Sequence, residues 1–412
     1  MPATRLRWLQ IHQYEQFEPV RIEFSPRENL LLGINGAGKT RLLRLLRAVL
    51  SLNFGELLEA AFEVEFEAVV EADDAKPGGV TGRIKNVYTL HTDRHGDIFR
   101  ASNVFTASLR WERAGVVIHH DVRGDEARYW IENPAVEEVT PLEGPGNVQQ
   151  DSRDIEDDRL HEALGATFSL LEASYLGESE HEFRVLGEGL EFTLRGTRFV
   201  AYSKVHAPLA WDLFPLLGAF RNLPKTGDVA SGLDLAWLSG LSSTPFLSLF
   251  PPLGMRTVKL MPKVVRQEGK VVHCRGLGFE CEFLNGDKVV ESELTFGQRR
   301  YLYGGIVSLM RPGAAVLVDE IDNGMHPRLI ETLLKLWEER QVFLVSHNKL
   351  VIDYVNFAGP EDVQRKVHIV QRGEDGRQTV KVLDAEVAGE VYKKIAVAIQ
   401  SPSDVLRAEG LW

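Results

Sequence analysis

Gly33-Ile34-Asn35-Gly36-Ala37-Gly38-Lys39-Thr40 fits G-x-x-x-x-G-K-[ST] at every fixed position. The run stands between an apolar stretch, Leu30-Leu31-Leu32, and a helical stretch from Arg41 to about Leu52. That context of buried strand, glycine turn and helix is what a phosphate-binding loop requires. Glycines let backbone N–H groups turn inward around phosphate oxygens, and the helix N-terminus adds its partial positive charge. On this reading Gly33, Asn35, Gly36, Gly38, Lys39 and Thr40 line a nucleotide site. Lys39 reaches the β- and γ-phosphates, and the Thr40 hydroxyl is offered to Mg²⁺.

A second constraint lies far downstream. Ala314-Ala315-Val316-Leu317-Val318 is an apolar strand that runs into Asp319-Glu320. By itself this is a common strand end. Paired with a phosphate loop, it places a first acid near a metal and a second beside an attacking water. Asp319 is then the metal-supporting residue and Glu320 the general base. Two further elements flank the strand. Leu294-Thr295-Phe296-Gly297-Gln298 precedes it and opens a helix, and Leu344-Val345-Ser346-His347 ends the next apolar strand. Taken alone, Thr295 reads as a helix N-cap and His347 as an ordinary histidine at a strand end.

Composition excludes several classes. The chain has 412 residues, 44% hydrophobic and 26% charged, the balance of a soluble globular protein large enough for more than one domain. No run of eighteen apolar residues suggests a membrane span, and the N-terminal residues lack a secretory apolar core. Cys274 and Cys281 are too few for a disulfide framework or a zinc site, which points to a reducing, cytoplasmic setting. The net charge of −12 argues against a general nucleic-acid coat. Local basic stretches remain as possible DNA contacts: Arg41, Arg44 and Arg47, and the run from Arg256 to Arg275. A solvated polar face is the commoner origin of such patterns.

The pattern along the chain is α/β. Two strands meet at a turn near Glu18-Pro19, and alternating residues from Phe62 to about Trp130 read as further strands, with a turn at Lys76-Pro77-Gly78-Gly79. Residues 131–165 are acidic and turn-rich. Residues 205–250 look helical but are interrupted by prolines, and Val258–Phe283 reads as a hairpin around Gln267-Glu268-Gly269-Lys270. After that, helix and buried strand alternate, which implies a parallel sheet. The expected parts are residues 1–130 with the phosphate loop, an inserted lobe over 131–284, and 285–412 with the acidic strand. No sustained heptads suggest a long coiled coil.

Phosphate loop, Leu294–Gln298, the strand ending Asp319-Glu320 and the strand ending at His347 occur in an order that resembles the ABC ATPase superfamily. The spacing of 258 residues from Lys39 to Gly297 looks like the SMC, RecF and OLD branches rather than transporters. The stretch before the loop and Gly324-Met325-His326-Pro327 look most like OLD-type ATPases. Only the 65 residues 348–412 follow His347, short for the Toprim nuclease of such proteins. The resemblance covers about residues 4–60 and 285–357. It implies an ABC-type head that hydrolyses ATP to ADP and phosphate with Mg²⁺, as a homodimer or larger homo-oligomer.

The resemblance also implies that Thr295, Gly297 and Gln298 meet the γ-phosphate held by a facing subunit, with His347 as the switch histidine. Thr295 keeps the hydroxyl of the usual serine, whereas Phe296 replaces a small residue and is expected to crowd the site. A glutamine for the Q-loop is not assigned; Gln149 and Gln150 are candidates. The implied role is a regulatory ATPase of bacterial antiphage defence working with a separate effector protein. A RecF-like, DNA-binding repair ATPase is the alternative.

Overall fold

The structure is a computed structural model. It describes residues 3–51, 54, 57–72, 75–92, 98–113, 116–123, 126–132, 141–142, 173–175, 190–195, 198–203, 233–234, 249–268, 271–310, 315–397 and 401–412. The prolines of the helical-looking stretch between residues 205 and 245, the acidic stretch 143–165, Gln149 and Gln150 lie outside the described residues.

The described chain divides into two compact units. The first holds residues 1–173, 313–319 and 339–412, and the second 174–312 and 320–338.

The first unit carries an antiparallel sheet of β1 (Ala3–Tyr14), β2 (Val20–Glu23), β4 (Phe62–Ala72), β5 (Ala75–Thr92), β6 (Ile98–Arg113), β7 (Val116–Arg123), β8 (Glu126–Glu132) and β9 (Pro141–Leu142). Its order is β2-β1-β4-β5-β6-β7-β8-β9. Phe62, Val64, Phe66 and Ala68 bury one face of β4, while the intervening glutamates turn toward the other, as period-two alternation requires. On that other face Glu63 binds Arg83 and Lys85. These two bonds hold its carboxyl down at about 2. The turn expected at Lys76–Gly79 is instead strand. Val70 pairs with Gly78 and Ala72 with Ala75, so a register shift accommodates Pro77, which has no N–H for the ladder.

The same unit holds a second sheet. β17 (Ala315–Asp319), β18 (Val342–Val345), β3 (Glu28–Leu32) and β19 (Val367–Arg372) run parallel in that spatial order, and β20 (Gln378–Val382) pairs antiparallel with β19. Helices α1 (Lys39–Ser51), α4 (Lys349–Asp353), α5 (Pro360–Lys366), α6 (Ala385–Val397) and α7 (Pro402–Ala408) complete it. In α1, Leu42, Leu43, Leu45, Leu46, Val49 and Leu50 are fully buried. Each such side chain contributes about 1.5–3 kcal/mol relative to exposure, so this face seats the helix that begins at the phosphate loop. Gln341, buried just before β18, joins the two sheets. It accepts from the Leu6 N–H at 2.7 Å and donates to the Leu6 and Ser25 carbonyls.

The second unit holds an antiparallel sheet of β11 (Leu190–Arg195), β12 (Arg198–Ser203), β13 (Leu233–Asp234), β14 (Met255–Glu268) and β15 (Val271–Phe283), in the order β12-β11-β15-β14-β13. β16 (Lys288–Val290) pairs with β15, and β10 (Ala173–Tyr175), where the chain passes from the first unit to the second, is the edge strand beside β17 in the six-stranded sheet. The β14–β15 hairpin follows the sequence expectation, and Cys281 is a buried strand residue whose thiol burial pushes up to about 12. Helices α2 (Phe296–Met310) and α3 (Pro327–Leu336) belong to this unit. No described helix is long and apolar enough to cross a membrane, and none approaches a long coiled coil.

Candidate functional site

The parallel sheet sets the geometry. Asp319 is level with Val345, Val345 with Leu31, and Leu31 with His368. The C-terminal ends of β17, β18 and β3 therefore lie side by side, and the chain leaves them into Glu320, Ser346-His347 and Gly33 respectively. This edge of an open parallel sheet is where α/β folds bind ligands.

The loop after β3 needs its glycines for identifiable reasons. Gly33, Gly36 and Gly38 have φ of +145°, +78° and +109°, values that L side chains rarely adopt. A Cβ on Gly33 would stand 2.1 Å from the Val370 carbonyl oxygen of β19. A Cβ on Gly38 would meet the Gln378 side chain at 2.7 Å, whereas Gly36 faces open space. Ile34, Asn35 and Gly36 are exposed at the tip. Lys39 is buried, and its ammonium donates to the Gly33 and Ile34 carbonyls at 2.8 and 2.9 Å. The cation thus lies curled within the loop.

Thr40 and Asp319, 279 residues apart, are brought together: the Thr40 hydroxyl donates to Asp319 Oδ2 at 2.6 Å. A hydroxyl and a carboxylate converging at the end of a phosphate loop are the hard oxygen donors that suit Mg²⁺ shared with substrate phosphates. Glu320 follows, exposed, with φ +50°. A left-handed backbone at a non-glycine residue is uncommon and costs of order 1–3 kcal/mol. His347 is exposed beyond β18. Around it the chain turns by two caps: Ser346 Oγ accepts from the Asn348 N–H, and Asn348 Oδ1 from the Leu350 N–H.

In the second unit, Thr295 and Gln298 form a reciprocal cap at the start of α2. Thr295 Oγ accepts from the Gln298 N–H at 3.3 Å, and Gln298 Oε1 accepts from the Thr295 N–H at 2.9 Å. Gly297 is buried, and a Cβ there would lie 2.1 Å from the Gly324 carbonyl oxygen. Gly297 thus has a reason within its own chain to be glycine. The Phe296 ring lies against Gly324. Of the basic residues weighed for DNA, Arg41 pairs with Glu15 at 3.1 Å and Arg256 with Glu282 at 3.0 Å.

Gln378 is the residue the motifs miss. Its side chain is buried against Gly38, and its backbone bonds to Gln16 and Glu18 clip β20 to the turn before β2. The run Val367–Val370 followed by Gly373-Glu374-Asp375-Gly376 signals a hairpin, but nothing in it tells which side chain faces the loop.

No curated protein matches the chain. Among solved structures, it is similar to an SMC head described as "SmcHead bound to the C-winged helix domain of ScpA", at 14% identity and TM-score 0.42, covering 92% of this chain and 98% of that one. It is also similar to an SMC head domain with an extended coiled coil, bound to the C-terminal domain of ScpA and derived from Pyrococcus furiosus. That likeness is 13% identity and TM-score 0.41, over 96% and 100% of the two chains. Likeness at this level supports no argument about function. A family model matches residues 141–353, just over half of the chain, and takes in Thr295–Gln298, Asp319-Glu320 and His347. This chain is a P-loop ATPase that belongs to the family described as "AAA domain, putative AbiEii toxin, Type IV TA system".

Proposed function

We propose that the chain is an ABC-type, OLD-like ATPase whose nucleotide state controls its association with a second copy, and that it regulates a bacterial defence response through a separate effector. The carrying observation is the 2.6 Å contact of Thr40 with Asp319, between the phosphate loop and the acidic strand. In this reading residues 1–130 and 285–412 build the head, and 131–284 are inserted. The loop N–H groups and Lys39 hold the phosphates once Lys39 releases the two carbonyls it binds. Thr40 and Asp319 would hold Mg²⁺, which supplies charge neutralisation between the β- and γ-phosphates. Glu320 accepts the proton of the attacking water, and His347, which follows the neighbouring strand β18, would serve as the switch histidine. Thr295, Gly297 and Gln298 would face the nucleotide of the second copy. The family description, with its toxin and Type IV system, supports the defence setting. The ion pairs on Arg41 and Arg256 give the DNA-repair alternative no particular support.

The test is the mass of Glu320→Gln in solution by sedimentation. With ATP and Mg²⁺ it is expected to double relative to the ADP-bound or nucleotide-free protein. One mass in all three conditions would remove nucleotide-controlled association from the account.

A further inference from the structure

The first turn of α2 grips the segment that follows Glu320. Phe296 and Arg300, four apart and so on one helix face, both reach it. The Phe296 ring lies where a Cβ on Gly324 would stand 2.4 Å from its Cδ1, and Gly324 itself has φ +73°. Arg300, buried, donates from Nη1 to the Asn323 carbonyl at 3.3 Å, with its guanidinium 6.0 Å from the Phe296 ring centre. Gly297 completes the grip, because only an absent side chain leaves room for the Gly324 carbonyl. On the other side of the segment, the Asn323 N–H donates to the Glu320 carbonyl at 2.9 Å and closes a tight turn. The left-handed backbone of Glu320 stands at the start of that turn. Such a conformation persists only where surrounding contacts over-determine it.

We infer that Phe296 is a positioning residue for Glu320: its ring clamps Gly324, and through the closed turn holds the carboxylate in its left-handed setting. The inference rests on the reading of Glu320 as general base. It gives the helix start that would face a second copy's nucleotide a mechanical link to the base of its own chain.

The experiment measures ATP affinity by calorimetry and kcat by phosphate release for Phe296→Ala, Phe296→Leu, Glu320→Gln and the double variant Phe296→Ala/Glu320→Gln. Phe296→Ala is expected to lower kcat about 10–100-fold, the scale for a displaced catalytic group, with ATP affinity within about twofold. Phe296→Leu, which keeps apolar cover on Gly324, is expected to recover part of that loss. The double variant is expected to be no slower than Glu320→Gln, since a residue acting only through Glu320 has nothing further to remove. Multiplicative losses in the double variant, or an unchanged kcat in Phe296→Ala, overturn the inference. If Phe296→Ala does not fold, the same comparison in Phe296→Leu decides, and full wild-type kcat there overturns it. Failure of the base reading shows separately, as wild-type turnover in Glu320→Gln.

Discussion

Glycine does different work in the loop after β3 and at the start of α2. In the loop the backbone itself demands it: Gly33, Gly36 and Gly38 all stand at positive φ. Gly297 lies within helix α2 and is required by a carbonyl 27 residues away, that of Gly324. The first kind of glycine is written in local conformation, and a sequence motif can carry it. The second kind is written in tertiary packing, so the motif around it admits two explanations until the packing is seen.

Alanine substitutions sharpen the contrast. Gly33→Ala combines φ +145° with a Cβ 2.1 Å from a strand carbonyl, so the loop must shift bodily. ATP affinity is expected to fall on the order of 10²-fold, the equivalent of about 3 kcal/mol, as read by calorimetry. Gly297→Ala meets an equally close carbonyl but in the other unit. It is expected to leave ATP binding within about twofold, because the phosphate loop stays whole, while lowering turnover about tenfold, since the grip on Asn323–Gly324 and the surface offered to a second copy are both disturbed. Gly36→Ala meets nothing within 4 Å and carries only the strain of φ +78°. A loss of affinity of a few-fold is expected, matching about 1 kcal/mol. Equal effects at Gly33 and Gly36 would break the distinction between strain and collision.

The smallest effect concerns the sheet beneath the loop. His368 is fully buried on β19, edge-on to Phe24 at 5.2 Å, and burial pushes its pKa down to about 4. The unfolded chain, with a histidine near 6.5, then binds more protons than the folded one between these values. Stability is therefore retained above about 6.5 and declines as pH falls toward about 4. His368→Phe is expected to flatten this part of the curve in urea unfolding at pH 7 and pH 4.5. A slope equal to that of wild type would assign the acid sensitivity to other groups.

The loop, α1, β3, β17, β18 and the β14–β15 hairpin were legible because each couples an apolar period to local turn or cap chemistry. The Thr40–Asp319 contact was legible from two motifs with complementary chemistry. Three features were not. Lys76–Gly79 carries turn residues, yet it pairs as strand, because Val69 and Val70 supply a partner ladder that local propensity ignores. Gln378 is an unremarkable polar residue until β20 folds it under Gly38. The contact of Phe296 with Gly324 joins residues of two different motifs, and neither motif names the other.

The central claim is that the loop and the acidic strand form one ATP-hydrolysing centre with divided labour. Phosphate release and ATP binding, measured together on wild type, Lys39→Ala and Glu320→Gln, test it most directly. Lys39→Ala is predicted to lose both, since the loop then lacks the cation facing the phosphates. Glu320→Gln is predicted to bind ATP as wild type does while releasing phosphate about 10²–10⁴-fold more slowly, the range for a lost general base. Wild-type phosphate release from either variant would contradict the claim.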